Sequence, residues 1–165
     1  VSALRVIGVG NRWQRDDGVG AEVAARIEPF VPMGTEVVVL DGEASRLIDA
    51  WDGSAVTIVV DAMRSGAAPG TVTRDHVGAD PLPRSSGAAS SHALGVAEAL
   101  ALGRALHRLP EALVLFGVEG DDFGHGVGLS ASVAAAVDGV VDEVLVELAR
   151  PRAARRGSPD RPSPG

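Results

Sequence analysis

Cysteine, lysine and tyrosine are all absent from this chain of 165 residues. Without cysteine there is no disulfide, no thiolate metal site and no cysteine nucleophile. Without lysine there is no Schiff base, no Ser–Lys dyad and no phosphate-cradling GxxxxGK[ST] loop. All 15 basic residues are therefore arginine. Aromatic residues make up 3% of a composition that is 45% hydrophobic, so burial falls to Val, Leu, Ile and Ala. Those are the residues of compact α/β layers. Long apolar runs are missing too, since no segment approaches the ~18–20 residues of a membrane span. The N-terminus lacks the basic, apolar, small-residue pattern of a signal peptide. A soluble cytoplasmic protein with no membrane partner is the expectation.

The formal charge of −7 is unevenly spread. From Arg150 onward five arginines stand against Asp160 alone, a local +4 that leaves about −11 for the rest. A broad phosphate-binding face is not expected on so acidic a body, and nucleic acid is excluded as a partner. Residues 1–149 fit one domain of ordinary size, and residues 150–165, rich in Arg, Pro, Ser and Gly, read as a disordered tail.

Along the chain, short β-prone runs alternate with helical periodicity. Leu4–Val9 reads as a buried first strand, followed by apolar spacing from Val19 through Val23 and Ile27 that Pro29 stops. Glu36–Leu40 reads as a second strand, and Leu47, Ile48 and Trp51 mark one face of a short helix. Ala55–Val60 predicts a third strand with Asp61 at its carboxyl end. Thr71–Arg74 predicts a shorter, polar strand near a sheet edge. Residues 77–89 form a Pro/Gly/Ser-rich stretch of a length that is more often functional than idle. A helix begins at His92, with Ser90 or Ser91 as its cap. Ala112–Phe116 is the last strand, and Val133–Leu148 the last helix. The pattern predicts an α/β three-layer sandwich: a mostly parallel, twisted sheet of about five strands flanked by helices on both faces.

In such sheets ligands sit beyond the carboxyl ends of the strands. Asp16-Asp17, Asp41, Asp61 and His92 all fall there. Two carboxylates and an imidazole suit a divalent first-row ion, with the nitrogen favouring nickel, zinc, copper or iron over magnesium. Each position also has a plainer reading. Asp41 before Gly42 can cap a helix, and His92 after two serines can be a surface residue of a cap region. The opening Gly8-Val9-Gly10 invites a dinucleotide reading, but that fingerprint needs a glycine where Trp13 stands.

The segment from Gly8 to Gly20, GVGNRWQRDDGVG, resembles the opening signature of the hydrogenase maturation proteases, G-[IV]-G-N-x(4)-D-[DE]-G-x-G. Val59-Val60-Asp61-Ala62 is similar to that family's strand-end aspartate motif, and Ser91-His92-Ala93-Leu94-Gly95 to its histidine motif. Phe116-Gly117-Val118-Glu119 resembles its last strand, and Gly128-Leu129-Ser130 the start of its final helix. The likeness runs from residue 4 to about 149.

That resemblance implies an endopeptidase that removes a C-terminal extension from the large-subunit precursor of a nickel–iron hydrogenase. Asp17, Asp61 and His92 would be both metal ligands and catalytic residues, with Asp16 as an additional carboxylate. The ion would be nickel supplied by the precursor, so no permanent metal is required, though cadmium or zinc could occupy the site in vitro. Where the family carries D-G-G-T-x-G, this chain has Asp41-Gly42-Glu43-Ala44-Ser45-Arg46, with fewer glycines and a stiffer backbone. Asp41, Gly42, Glu43 and Glu119 are the expected substrate-recognition residues. A non-catalytic chaperone for nickel or precursor on the same scaffold is the alternative.

Overall fold

A computed structural model describes residues 3–77 and 91–151, the side chains of 91–94 excepted. Five strands form one sheet: β1 (Leu4–Val9), β2 (Thr35–Leu40), β3 (Val56–Met63), β4 (Val72–Val77) and β5 (Ala112–Glu119). Their order is β2-β1-β3-β5-β4. All neighbours are parallel except β4, which runs antiparallel to β5. Four α-helices accompany them: α1 (Val19–Ile27), α2 (Ala44–Trp51), α3 (Ser91–Ala105) and α4 (Ala131–Ala149). No helix among the described residues is long and apolar enough to cross a membrane.

Strand parity sorts the core into two layers. Val6 of β1, Ile58 and Val60 of β3, and Val114, Phe116 and Val118 of β5 turn to one face, where Val19, Val23 and Ile27 of α1 and the valines of α4 cover them. Ile7, Val9 and Val59 turn to the other, against Leu47, Ile48 and Trp51 of α2 and Val96, Ala99 and Leu100 of α3. Both faces of the central strands are thus apolar, which is why β1 and β3 read as near-continuous hydrophobic runs. Trp51 is fully buried, and its Nε1–H donates to the Arg108 carbonyl at 2.9 Å, so the indole leaves no orphaned donor. The expected three-layer sandwich is the observed one.

Three strands run past their expected ends. β3 continues to Met63, β4 to Val77 and β5 to Glu119. The reason is mutual pairing: beyond the last β1 partner, Gly8↔Val60, β3 still pairs with β5 through Asp61↔Gly117 and Met63↔Glu119. Asp61 accordingly stands inside β3, not after it, just past the last residue that pairs with β1. The stretch 78–90 with its candidate cap Ser90, and the tail beyond 151, lie outside the described residues, as does the side chain of His92.

Candidate active site

The glycines of the opening signature let the start of α1 lie directly on the sheet. A Cβ on Gly20 would stand 2.5 Å from the Val60 carbonyl oxygen and 2.6 Å from that of Val9. A Cβ on Gly8 would run into the Gly20 carbonyl, so the two glycines face each other across the strand–helix contact. Gly10 has φ +133° and its Cα lies against the Asp17 backbone. A side chain there would be strained and would also clash.

This close packing places the acidic pair in a 3-10 turn, Arg15–Gly18, at the carboxyl end of β1 and packed against β3. The two carboxylates then diverge. Asp17, 2% exposed, accepts the Asn11 backbone N–H on Oδ2 at 2.8 Å. Asp16 is completely buried and turns away from that point. Its Oδ2 accepts from the backbone N–H groups of Asp121 (2.8 Å) and Asp122 (2.9 Å) and from the Ser130 hydroxyl (2.8 Å), while Oδ1 accepts the Ser130 N–H at 2.7 Å. Burial alone would raise the Asp16 pKa, but the bonds from Asp122, Asp121 and Ser130 outweigh it and hold the group below its ordinary value. Asp16 thereby ties the loop after β5 and the N-cap of α4 to the opening turn.

Asp61 shares strand parity with Thr57 and Val59, so it belongs to the face covered by α2 and α3. It is partly buried. Position 92 lies in the first turn of α3, the helix packed on that face of β3. What brings the turn close is a glycine pair. Gly42, buried at φ +89°, follows β2, and a Cβ on Gly95 would collide with the Gly42 carbonyl. Positions 92 and 95 are three apart and share a helix face. The α3 start is therefore seated on the Asp41-Gly42 loop.

That loop is rigid. Asp41 Oδ1 accepts the Glu43 N–H at 3.1 Å, and its Oδ2 lies 3.3 Å from the Arg46 guanidinium. Glu43 is the N-cap of α2 and accepts from the backbone N–H groups of Ser45 (3.0 Å) and Arg46 (3.2 Å). The Ser45 hydroxyl and amide lower its pKa. Where the family pattern has glycines, this chain has a capped helix start.

Glu119 is 2% exposed, and its carboxylate receives the Ser65 N–H (2.9 Å), the Ser65 hydroxyl (2.8 Å) and the Gly66 N–H (3.1 Å). This expected substrate-recognition residue clamps the β3–β4 loop. Beside it Arg64 lies over the Phe123 ring at 4.3 Å, and that ring rests on Gly120. Asn11 and Ser130, both within the motifs that carry the resemblance, hold the two aspartates, a role that motif position alone does not reveal. The 11–15 segment is also bonded to Gly126, whose N–H donates to the Trp13 carbonyl at 2.8 Å and whose carbonyl accepts the Arg15 N–H at 3.0 Å. No local pattern marks such a long-range seam.

Similarities to known proteins agree with this fold. Residues 21–147 match the hydrogenase maturation protease family. A hydrogenase expression/formation protein, HupD of Thiocapsa roseopersicina, is 37% identical over 128 residues, covering 73% of this chain and 57% of its own length. The hydrogenase 2 maturation protease of Escherichia coli K12 is 29% identical over 151 residues, covering 88% of this chain and 90% of its own. The solved structure of the hydrogenase maturating endopeptidase HybD from E. coli superposes with a TM-score of 0.75 at 27% identity, covering 88% of this chain and 91% of that one. The chain belongs to the hydrogenase maturation protease family.

Proposed function

We propose that this protein removes a C-terminal extension from a nickel-loaded hydrogenase large-subunit precursor. In this reading Asp17, Asp61 and His92 take hold of nickel that the precursor brings, and the chain owns no permanent metal. The observation that carries the proposal is the convergence of three separate elements on one rim. The turn bearing Asp17 packs on β3, which bears Asp61, and the first turn of α3, which bears His92, is drawn in by the Gly42–Gly95 contact. Two carboxylates and an imidazole would bind the ion while leaving it able to polarise a nearby carbonyl. Cadmium or zinc would fit the same donors in vitro.

Asp16 does not serve as the proton carrier in this scheme. Its carboxylate already accepts four hydrogen bonds and is sealed from solvent, so it acts as an anchor for the rim. Glu119 acts through the 64–66 loop that it clamps, and Asp41 and Glu43 through the capped loop under α3.

Asp61→Asn and His92→Ala are expected to keep the fold and to stop shortening of the nickel-loaded precursor, read as a mass change on incubation. Full processing by either variant overturns the site. A second reading, a non-catalytic precursor chaperone, is favoured by the replacement of glycines with a Glu43-capped helix start. It predicts that wild-type chain binds the precursor and never shortens it.

A further inference from the structure

The two edges of the sheet are built differently. β4, at one edge, carries Arg74, Asp75 and His76 in its middle, and His76 Nε2 lies 3.1 Å from the buried Glu147 of α4. Charges of this kind keep an edge from pairing with another chain. β2, at the other edge, reads Thr-Glu-Val-Val-Val-Leu, without proline, and holds an unbroken register with β1 over all six residues. Among the described residues nothing pairs with its outer side. The Gly10 N–H donates to the Leu40 carbonyl, so Leu40 turns its peptide groups inward to β1. By strand alternation the N–H and C=O of Val37 and Val39 turn outward.

Beside that outward edge lies a groove of about 490 Å³, lined among others by Gly10, Asn11, Trp13, Val39 and Asp41. Trp13 is 65% exposed and Val39 46%, yet the Trp13 backbone is fastened at both ends. Its N–H donates to Asn11 Oδ1 at 2.9 Å, and its carbonyl accepts from Gly126. A large aromatic on a fixed backbone is a preorganised anchor. The groove begins at Gly10 and Asn11, which hold Asp17, so it is continuous with the candidate site.

We propose that the precursor's scissile segment binds as an added strand along the carboxyl half of β2, seating a bulky apolar side chain between Trp13 and Val39. This rests on the endopeptidase reading for the identity of the segment. Outward peptide groups favour an extended chain over a folded surface, and a groove of this size admits a few residues and not a domain.

The test uses the whole chain and its nickel-loaded precursor. Val39→Pro removes an outward N–H that the β1–β2 ladder does not use, a substitution edge strands tolerate. Trp13→Ala removes the anchor from an exposed position. Both are expected to raise KM for processing about tenfold or more with kcat little changed. Hydrogen exchange at the Val37 and Val39 amides should slow on adding precursor to the wild-type chain. Unchanged KM in both variants, or precursor binding without protection of those amides, overturns the inference and leaves the endopeptidase reading intact. Protection that grows with protein concentration in the absence of precursor also overturns it, because the edge then pairs with a second copy. A wild-type chain that binds but does not cut overturns the endopeptidase reading, while the exchange data still decide whether β2 receives a strand.

Discussion

Asp16 and Asp17 are adjacent, both buried, and held for different ends. Asp17 accepts a backbone N–H from the loop at the end of β1, whereas Asp16 accepts hydrogen bonds from a distant loop and the α4 cap. Hydrogen bonds to a charged group are worth about 1.5–3 kcal/mol each when the partners are left buried, though not additively. Asp16→Ala should therefore lower unfolding stability by about 3–4 kcal/mol, measured by urea titration. The sign with pH follows from the depressed folded-state pKa. The Asp16 contribution is complete above its unfolded value, about pH 4, and is lost as pH falls from there through the folded value. The wild-type chain should lose stability in that acid window, and Asp16→Asn should show a flatter acid limb. Local spacing does not reveal the anchoring role of Asp16, since its hydrogen-bond partners lie more than a hundred residues away.

At the scale of elements, glycines decide how near helices come to the sheet and to each other. Gly95→Ala would push the first turn of α3 off the Gly42 carbonyl, and with it position 92. A shift on the order of 1 Å at a reacting group costs about a hundredfold in rate. The expected outcome is processing reduced about a hundredfold with a thermal transition still cooperative, checked by paired activity and calorimetry. Processing at the wild-type rate would show that the α3 start need not touch the loop. Several elements were legible from pattern alone: β1 and α1 fall where apolar spacing and Pro29 put them. The carboxyl ends of β3, β4 and β5 were not, because Asp61, Gly117 and Glu119, like Asp75 in β4, are poor β-formers that pair only through neighbours supplied by the sheet.

For the whole molecule, stability comes from two apolar layers on either side of one sheet, with few aromatics to fill them. Phe116 is a fully buried aromatic of the α1/α4 layer, 1% exposed. Phe116→Ala should cost about 3–5 kcal/mol. A domain of this size shifts by about 2–4 °C per kcal/mol, so its melting temperature should fall by roughly 10 °C. Because the candidate site sits on the rim above this core, processing at a temperature where the variant stays folded should be close to normal. Assays of precursor shortening at low temperature check this.

The sequence by itself determined the α/β class, the exclusion of cysteine and lysine chemistry, and the residues Asp17, Asp61 and His92 as candidates. Periodicity, composition and motif order are local properties, and they survive reading one residue at a time. Only the tertiary structure decided that Asp16 and Glu119 are clamps, that Glu43 caps α2, and that β2 is the undefended edge. Those roles are defined by hydrogen-bond partners and strand neighbours that the chain acquires on folding.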